Sequence, residues 1–228
     1  YLYMSSIWDK WKETKIIYPK RKHLKLKELD KIPYYDENNN RINHYKNERI
    51  EQYVATEYVL PSYTVLELGG RYGTAACVIN NKLENPHNHV VIEPDKTVIK
   101  ALLGNAKSHK SKFTVINTII SNKSKKLVQL GYATTIEDTT KHDKNKLKTI
   151  SLKEIMKITD LKFDCLIADC EGCLCEFIEE NSKYIKKYKM ISFEADWPNK
   201  CNYSKIHKKL TKWKFKQIMK GFVSVWIK

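Results

Sequence analysis

The sequence predicts a doubly wound α/β domain on a mostly parallel sheet, and three observations predict it. Apolar runs of strand length alternate with amphipathic segments of helix length four or five times. A glycine cluster joins the first run to the helix after it, in Val65-Leu-Glu-Leu-Gly-Gly-Arg-Tyr-Gly-Thr-Ala-Ala-Cys-Val-Ile79. Glu67, Glu93, Asp169, Glu171, Glu194 and Asp196 all fall at one predicted edge, where the strands end and such sheets bind ligands.

Taken in order, residues 1–43 form a basic, aromatic extension with Trp8, Trp11 and Tyr18 and a polar run Asp36-Glu-Asn-Asn-Asn40 that reads as a loop. Its tryptophans suit packing against the domain; a lid or dimer arm is the sharper alternative. The domain itself is assigned to 44–228. Ile50, Tyr53, Val54 and Tyr58 recur at helical spacing until Pro61 ends the pattern. Val65, Leu66 and Leu68 suit a buried strand, Gly69, Gly70 and Gly73 the turn, and Thr74 to Ile79 the first turns of a helix. A second strand is expected at His89-Val-Val-Ile-Glu-Pro94, a helix from Asp95 to Lys107, and a third strand at Phe113–Ile120. The polar, Lys-rich stretch 121–145 reads as a hairpin or excursion. Ser151 with Glu154 three residues on forms a capping box at the next helix. Phe163–Ala168 is the fourth core strand, a helix spans Cys173 to Lys187, Lys189–Glu194 is the fifth strand, and Tyr203–Trp213 the last helix. Phe215 to Ile227, broken at Gly221, reads as a closing antiparallel hairpin.

With 228 residues and a hydrophobic fraction of 42% the chain supports one substantial core. The net charge of +16 would ordinarily suggest nucleic acid. Of the 42 basic residues, however, 38 are Lys and 4 are Arg, whereas phosphate recognition favours the bidentate Arg fork. The charge is therefore read as solvated surface. Six cysteines are present, and Cys170-x-x-Cys173-x-Cys175 invites a zinc reading. No second ligand pair follows in a loop, so buried free thiols are expected. No apolar run approaches the ~18 residues of a membrane span and no signal peptide is visible, which leads to an expectation of a reducing, cytoplasmic location.

The glycine turn and the acid after the second strand work together. Such a turn lets a ligand approach bare backbone and presents unpaired N–H groups at a helix start. Glu93 follows Glu67 by 26 residues, at the strand end where an acid accepts hydrogen bonds from both ribose hydroxyls of a nucleoside. Several further acids on the same rim, in so basic a chain, suit a cationic or polyhydroxylated ligand. His87, His89 and His142 are possible bases in loops or at strand edges, with surface roles the simpler reading.

Four stretches carry a resemblance to the class I S-adenosylmethionine-dependent methyltransferases, and among them to the FkbM family of O-methyltransferases, over roughly residues 45–228. They are Leu66-Glu-Leu-Gly-Gly-Arg-Tyr-Gly73, Val91-Ile-Glu-Pro94, Thr149-Ile-Ser-Leu-Lys-Glu-Ile155 and Phe163-Asp-Cys-Leu-Ile-Ala-Asp-Cys-Glu-Gly172. The resemblance implies a seven-stranded Rossmann-like methyltransferase sheet. It implies a cofactor cradle of Glu67, Gly69, Gly70, Arg71, Tyr72, Gly73 and Thr74, with Glu93 and Pro94 at the ribose and Asp169 at the methyl group. Arg71 stands where the family usually has Asn. The implied reaction is methylation of a hydroxyl on a sugar, nucleotide-sugar or glycan. Such a hydroxyl is poorly acidic and needs a base or a metal. Asp169, Glu171 and Glu194 are the candidates, as bases or as holders of a divalent cation. An RNA 2′-O-methyltransferase ranks second, because the last strand, Phe222 to Lys228, lacks the final acid of that group's Lys-Asp-Lys-Glu tetrad. A cofactor-binding subunit without turnover ranks third. A homodimer is left open, and no membrane-spanning partner segment is expected.

Overall fold

The computed structural model describes residues 15–16, 25–44, 48–130 and 133–228. Trp8, Trp11 and Tyr18 lie outside them. The strands are β1 (Lys15–Ile16), β2 (Val65–Leu68), β3 (His89–Ile92), β4 (Thr114–Ile116), β5 (Ile119–Ile120), β6 (Lys125–Leu130), β7 (Ala133–Asp138), β8 (Thr149–Ile150), β9 (Cys165–Ala168), β10 (Met190–Glu194), β11 (Lys216–Lys220) and β12 (Val223–Ile227). The helices are α1 (Leu26–Leu29), α2 (Arg49–Tyr58), α3 (Thr74–Lys82), α4 (Ile99–Ser108), α5 (Leu152–Thr159), α6 (Leu174–Ile185) and α7 (Tyr203–Lys212).

The main sheet runs β1-β11-β12-β10-β9-β2-β3-β4. Its five central strands, β4-β3-β2-β9-β10, pair in parallel, and the β11–β12 hairpin closes it antiparallel. These are the seven expected strands, to which β1 adds a two-residue edge on β11. The chain leaves β2 toward β3 and β4, then returns to the other side of β2 through β9 and β10. The reversal opens a crevice above the tips of β2 and β9, the place where open α/β sheets take ligands.

Both faces of the sheet are covered. Leu66, Ile92, Leu166, Ala168, Ile191 and Phe193 pack with Leu152 and Ile155 of α5, Phe177 and Ile178 of α6 and Ile206 and Leu210 of α7. On the opposite face Val65, Cys165, Ile167 and Met190 pack with Ile50 and Val54 of α2 and Val78 and Ile79 of α3. Strands buried on both sides read as continuous apolar runs, which is why the sequence exposes them so plainly.

Three differences from expectation have physical causes. The third strand breaks at Asn117–Thr118, because the Asn117 amide turns to donate to the carbonyls of Glu93 and Pro94; β5 then pairs with β8 in a small separate sheet. The 121–145 stretch contains the β6–β7 hairpin, as expected, and it forms part of the crevice wall. The helix expected from Asp95 starts at Ile99, since the Asp95 carboxylate instead binds the amide and hydroxyl of Thr97 in a turn. The third difference concerns the cysteines. Cys170 is bonded to Cys173 and Cys175 to Cys201, leaving Cys77 and Cys165 as buried free thiols. The expectation of free thiols therefore fails for four of the six residues. Among the described residues no helix is long and apolar enough to cross a membrane. The capping box at α5 forms as expected, with Ser151 Oγ accepting from the Glu154 amide at 3.2 Å. The described part of the extension packs on the domain: Tyr34 is buried against Ala76, Cys77 and Leu102, and its hydroxyl donates to the Thr74 carbonyl.

Candidate active site

The turn after β2 has no room for side chains. Gly69 sits at φ +87°, and a Cβ there would come within 1.7 Å of the Asp169 carbonyl oxygen; one on Gly70 would meet Val91 Cγ1 at 2.2 Å. Gly73, at φ +79°, precedes the first residue of α3. The tips of β2 and β9 are thus in backbone contact, and Asp169 N donates to the Leu68 carbonyl at 3.0 Å. Arg71 also takes a positive φ, 36°.

Glu93 holds that turn. One carboxylate oxygen accepts from Arg71 N and the other from Asp95 N, both at 2.7 Å. Burial raises its pKa, and the two amide hydrogen bonds work against the rise. The acid at the tip of the second strand is therefore first of all a clamp that joins two loops. Each oxygen keeps lone-pair capacity for a further donor.

A cavity of about 450 Å³ opens above these tips, lined among others by Gly69, Arg71, Glu93, Pro94, Asp169, Cys170 and Glu171. Of the expected cradle residues, Glu67 is not on its wall. Alternation along β2 turns Glu67 to the face under α2 and α3, where its carboxylate is 2.8 Å from His89 Nε2 and both side chains are buried. His89 is accordingly a core residue and not an exposed base, while His87 and His142 are exposed. Tyr72 is buried as well; its hydroxyl donates to Glu37 at 2.6 Å instead of covering the cavity. Gly70, Gly73 and Thr74 shape the turn from beneath. Glu194 also lies off the wall.

Beside the glycine turn stands a carboxylate cluster. Asp169, at the tip of β9, has its pKa raised well above the usual range by burial, and then by Asp196, Glu48, Glu171 and Glu51. Glu194 is raised likewise by burial and by Asp169 and Glu51. Burial also lifts Glu171, to about 7, against a hydrogen bond from Trp197. Glu48 rises to about 7 through burial and Glu51. One ligand atom each from Asp169, Glu171 and Asp196 lie within 4.8 Å of one another. Asp196 accepts from the Tyr203 hydroxyl at 2.8 Å and the Trp197 amide at 2.9 Å. The cluster brings together Asp169 and Glu171 as expected. Asp196, which the sequence ranked lower, takes the near position given to Glu194.

Several wall residues were not foreseen: Glu48, Thr118, Ser121, Lys125, Asp138, Glu176 and Lys200. Lys125 is buried and bonded to Asp138 at 2.5 Å and to Glu176, which fastens the β6–β7 hairpin to α6. Lys200 donates to Thr135 Oγ1 at 2.7 Å. A Lys in a Lys-rich polar stretch carries no sequence signal of this kind.

No protein-family model matches the chain, and no curated protein matches it. Solved structures similar to it include a ribosomal protein L11 methylase from Lactobacillus delbrueckii subsp. bulgaricus (13% identity, 80% of this chain and 75% of that one, TM-score 0.46). Others are an O-methyltransferase from Bacillus cereus in complex with SAH (12%, 89% and 87%, TM-score 0.43) and the O-methyltransferase TomG from Streptomyces achromogenes in complex with SAM (10%, 82% and 81%, TM-score 0.47). Likenesses this remote assign no activity to the chain.

Proposed function

We propose that the chain is an S-adenosylmethionine-dependent O-methyltransferase with FkbM-like motifs, acting on a hydroxyl of a sugar, nucleotide-sugar or glycan. The observation that carries the reading is the meeting, in one cavity at the strand-order reversal, of a glycine turn with a cluster of carboxylates. The residues fit the cofactor: the cavity volume of about 450 Å³ lies in the range of small-molecule sites, Gly69 brings bare backbone to the wall, and Glu93 has acceptor capacity left for ribose. When bound, the cofactor supplies a methyl group on a sulfonium, open to in-line attack.

The chain's part is then to position an oxygen and receive its proton. Orientation within a closed site supplies much of the rate. Glu171, held near 7, is matched to accept a hydroxyl proton at neutral pH. Asp169 and Asp196 beside it orient the acceptor. A second reading rests on the mutual reach of Asp169, Glu171 and Asp196: three oxygen donors suit a hard divalent cation that lowers the acceptor pKa.

S-adenosylhomocysteine should raise Tm by mass action; no shift at saturation sinks the proposal. Asp169→Asn should keep that shift and remove tritiated-methyl transfer to nucleotide-sugars or glycans. Transfer to capped RNA instead would mean the ribose 2′-O reading. Binding without transfer to any acceptor would mean a non-catalytic subunit. Loss of turnover on chelation, restored by Mg²⁺, would select the cation reading.

A further inference from the structure

We propose that the Cys170–Cys173 and Cys175–Cys201 disulfides are positioning elements of the acceptor site, and that opening the first with a dithiol switches methyl transfer off while leaving the cofactor half intact. The proposal rests on the methyltransferase reading for its activity arm, and on geometry alone for its structural arm.

The segment Cys170-Glu-Gly-Cys173 is a turn closed by Cys173 N donating to the Cys170 carbonyl at 3.1 Å. Its central residues both have positive φ, 51° at Glu171 and 87° at Gly172. Turns with two left-handed central residues select Gly, Asn and Asp. Glycine suits the second position, but a glutamate in the first has no intrinsic preference for it. Something must enforce that backbone, and the bond between Cys170 and Cys173 joins the two ends of the turn.

The neighbouring loop is fixed on the same turn. A Cβ on Gly172 would lie 2.9 Å from Lys200 Cβ and 3.0 Å from Trp197 Cβ, so 197–200 sits directly against it. That loop brings the Trp197 indole N–H to the Glu171 carboxylate. Cys175–Cys201 ties the far end of the loop to the start of α6. Both sides of the acid rim are thus cross-linked at one helix start, whereas the glycine turn and Glu93 contain no cysteine. Cys170 and Cys173 line the cavity and are half-buried, within reach of a small thiol. Cys201 is buried, which shields the second bond.

Opening follows ordinary exchange chemistry. A dithiol thiolate attacks one sulfur, breaking the S–S bond and forming a mixed disulfide, and the reductant's second thiolate then attacks its own bonded sulfur and expels the protein cysteine. Cys170 and Cys173 leave as two thiols, and the reductant becomes a cyclic disulfide, two electrons poorer.

The test titrates the full chain with dithiothreitol and counts opened bonds by alkylation and mass. Methyl-transfer kcat, S-adenosylhomocysteine affinity and the ¹⁵N–¹H resonance of the Trp197 indole, assigned with Trp197→Phe, are followed together. Opening Cys170–Cys173 is expected to lower kcat tenfold or more and to keep cofactor affinity within threefold. It should also shift the Trp197 resonance as its indole N–H loses the Glu171 carboxylate, with recovery on reoxidation. Cys170→Ser with Cys173→Ser should reproduce this. An unchanged kcat and an unchanged Trp197 resonance would overturn the proposal. So would joint loss of turnover, cofactor binding and thermal transition, which would make the bonds supports of the whole fold. If the oxidised protein transfers no methyl group, the functional reading fails, and the Trp197 resonance still decides whether the bond positions Glu171.

Discussion

Glu93→Gln separates two roles of one carboxylate. In the structure each oxygen accepts a backbone amide, Arg71 N and Asp95 N, at 2.7 Å. A glutamine retains one acceptor and sets its NH₂ against the other amide, so one hydrogen bond to a charged group becomes a donor–donor contact. Hydrogen bonds to charged groups contribute about 1.5–3 kcal/mol. A loss of about 2 kcal/mol corresponds, for a domain of this size, to a Tm lower by about 4–8 °C. Because the clamp holds Arg71 N in the turn proposed to cradle the cofactor, S-adenosylhomocysteine affinity should also fall, by about tenfold, equivalent to ~1.4 kcal/mol. Differential scanning calorimetry without ligand and isothermal titration with it measure the two effects. A variant with unchanged Tm and weakened binding would refute the clamp and return Glu93 to the purely ribose-binding role read from its position. A variant unchanged in both would refute either role.

Two further predictions follow from the same geometry. Gly69→Ala should destabilise the fold by about 3 kcal/mol or more, combining left-handed strain with overpacking against the Asp169 carbonyl, which a Cβ would approach to 1.7 Å; Gly104→Ala, where a Cβ meets nothing within 4 Å in α4, should instead stabilise by about 0.5–1 kcal/mol, and equal melting temperatures for the two variants would contradict this. Stability of the ligand-free protein should fall as pH rises toward and past 7, because the raised carboxyls of Asp169, Glu171, Glu194 and Glu48 bind protons more tightly folded than unfolded. The sign is that of a raised folded pKa: the contribution is full below about 4.5 and is lost through about 7. His44, His109 and His207, lowered by burial, act oppositely below 6.5, so the clean window lies above it. Glu171→Gln should flatten the decline there, and a Tm that climbs from pH 6.5 to 7.5 in the wild type would count against the acid cluster.

The sheet was legible because its signal is local. Strands covered on both faces must be apolar at every position, as Val65–Leu68 and Cys165–Ala168 nearly are, and the glycines at the first tip are demanded by backbone contact. Glu67 shows the limit of that reading. Its place in a motif suggested a ligand, yet the alternation of β2 directs it under α3 to a partner, His89, that sequence distance hides. Lys125 is harder still: one lysine among 38, made a wall residue only by Asp138 and by Glu176 from a helix far along the chain.

The cysteines failed for a related reason. Spacing alone sets metal against free thiols, because from a strand-end and helix-start segment the partner of Cys175 is not visible. Its partner, Cys201, is 26 residues away, past a strand that must first return the chain to the same sheet edge. Once it does, the two acids that the sequence valued differently, Asp169 and Asp196, become neighbours, and Glu171 is carried between them on a turn its own backbone does not favour. The acid rim is therefore a product of topology and cross-links together. Parallel pairing of β9 with β10 aligns the tips, and the disulfides set what stands on them. A sequence pattern can name the carboxylates, but their order of proximity follows from where the chain is tied.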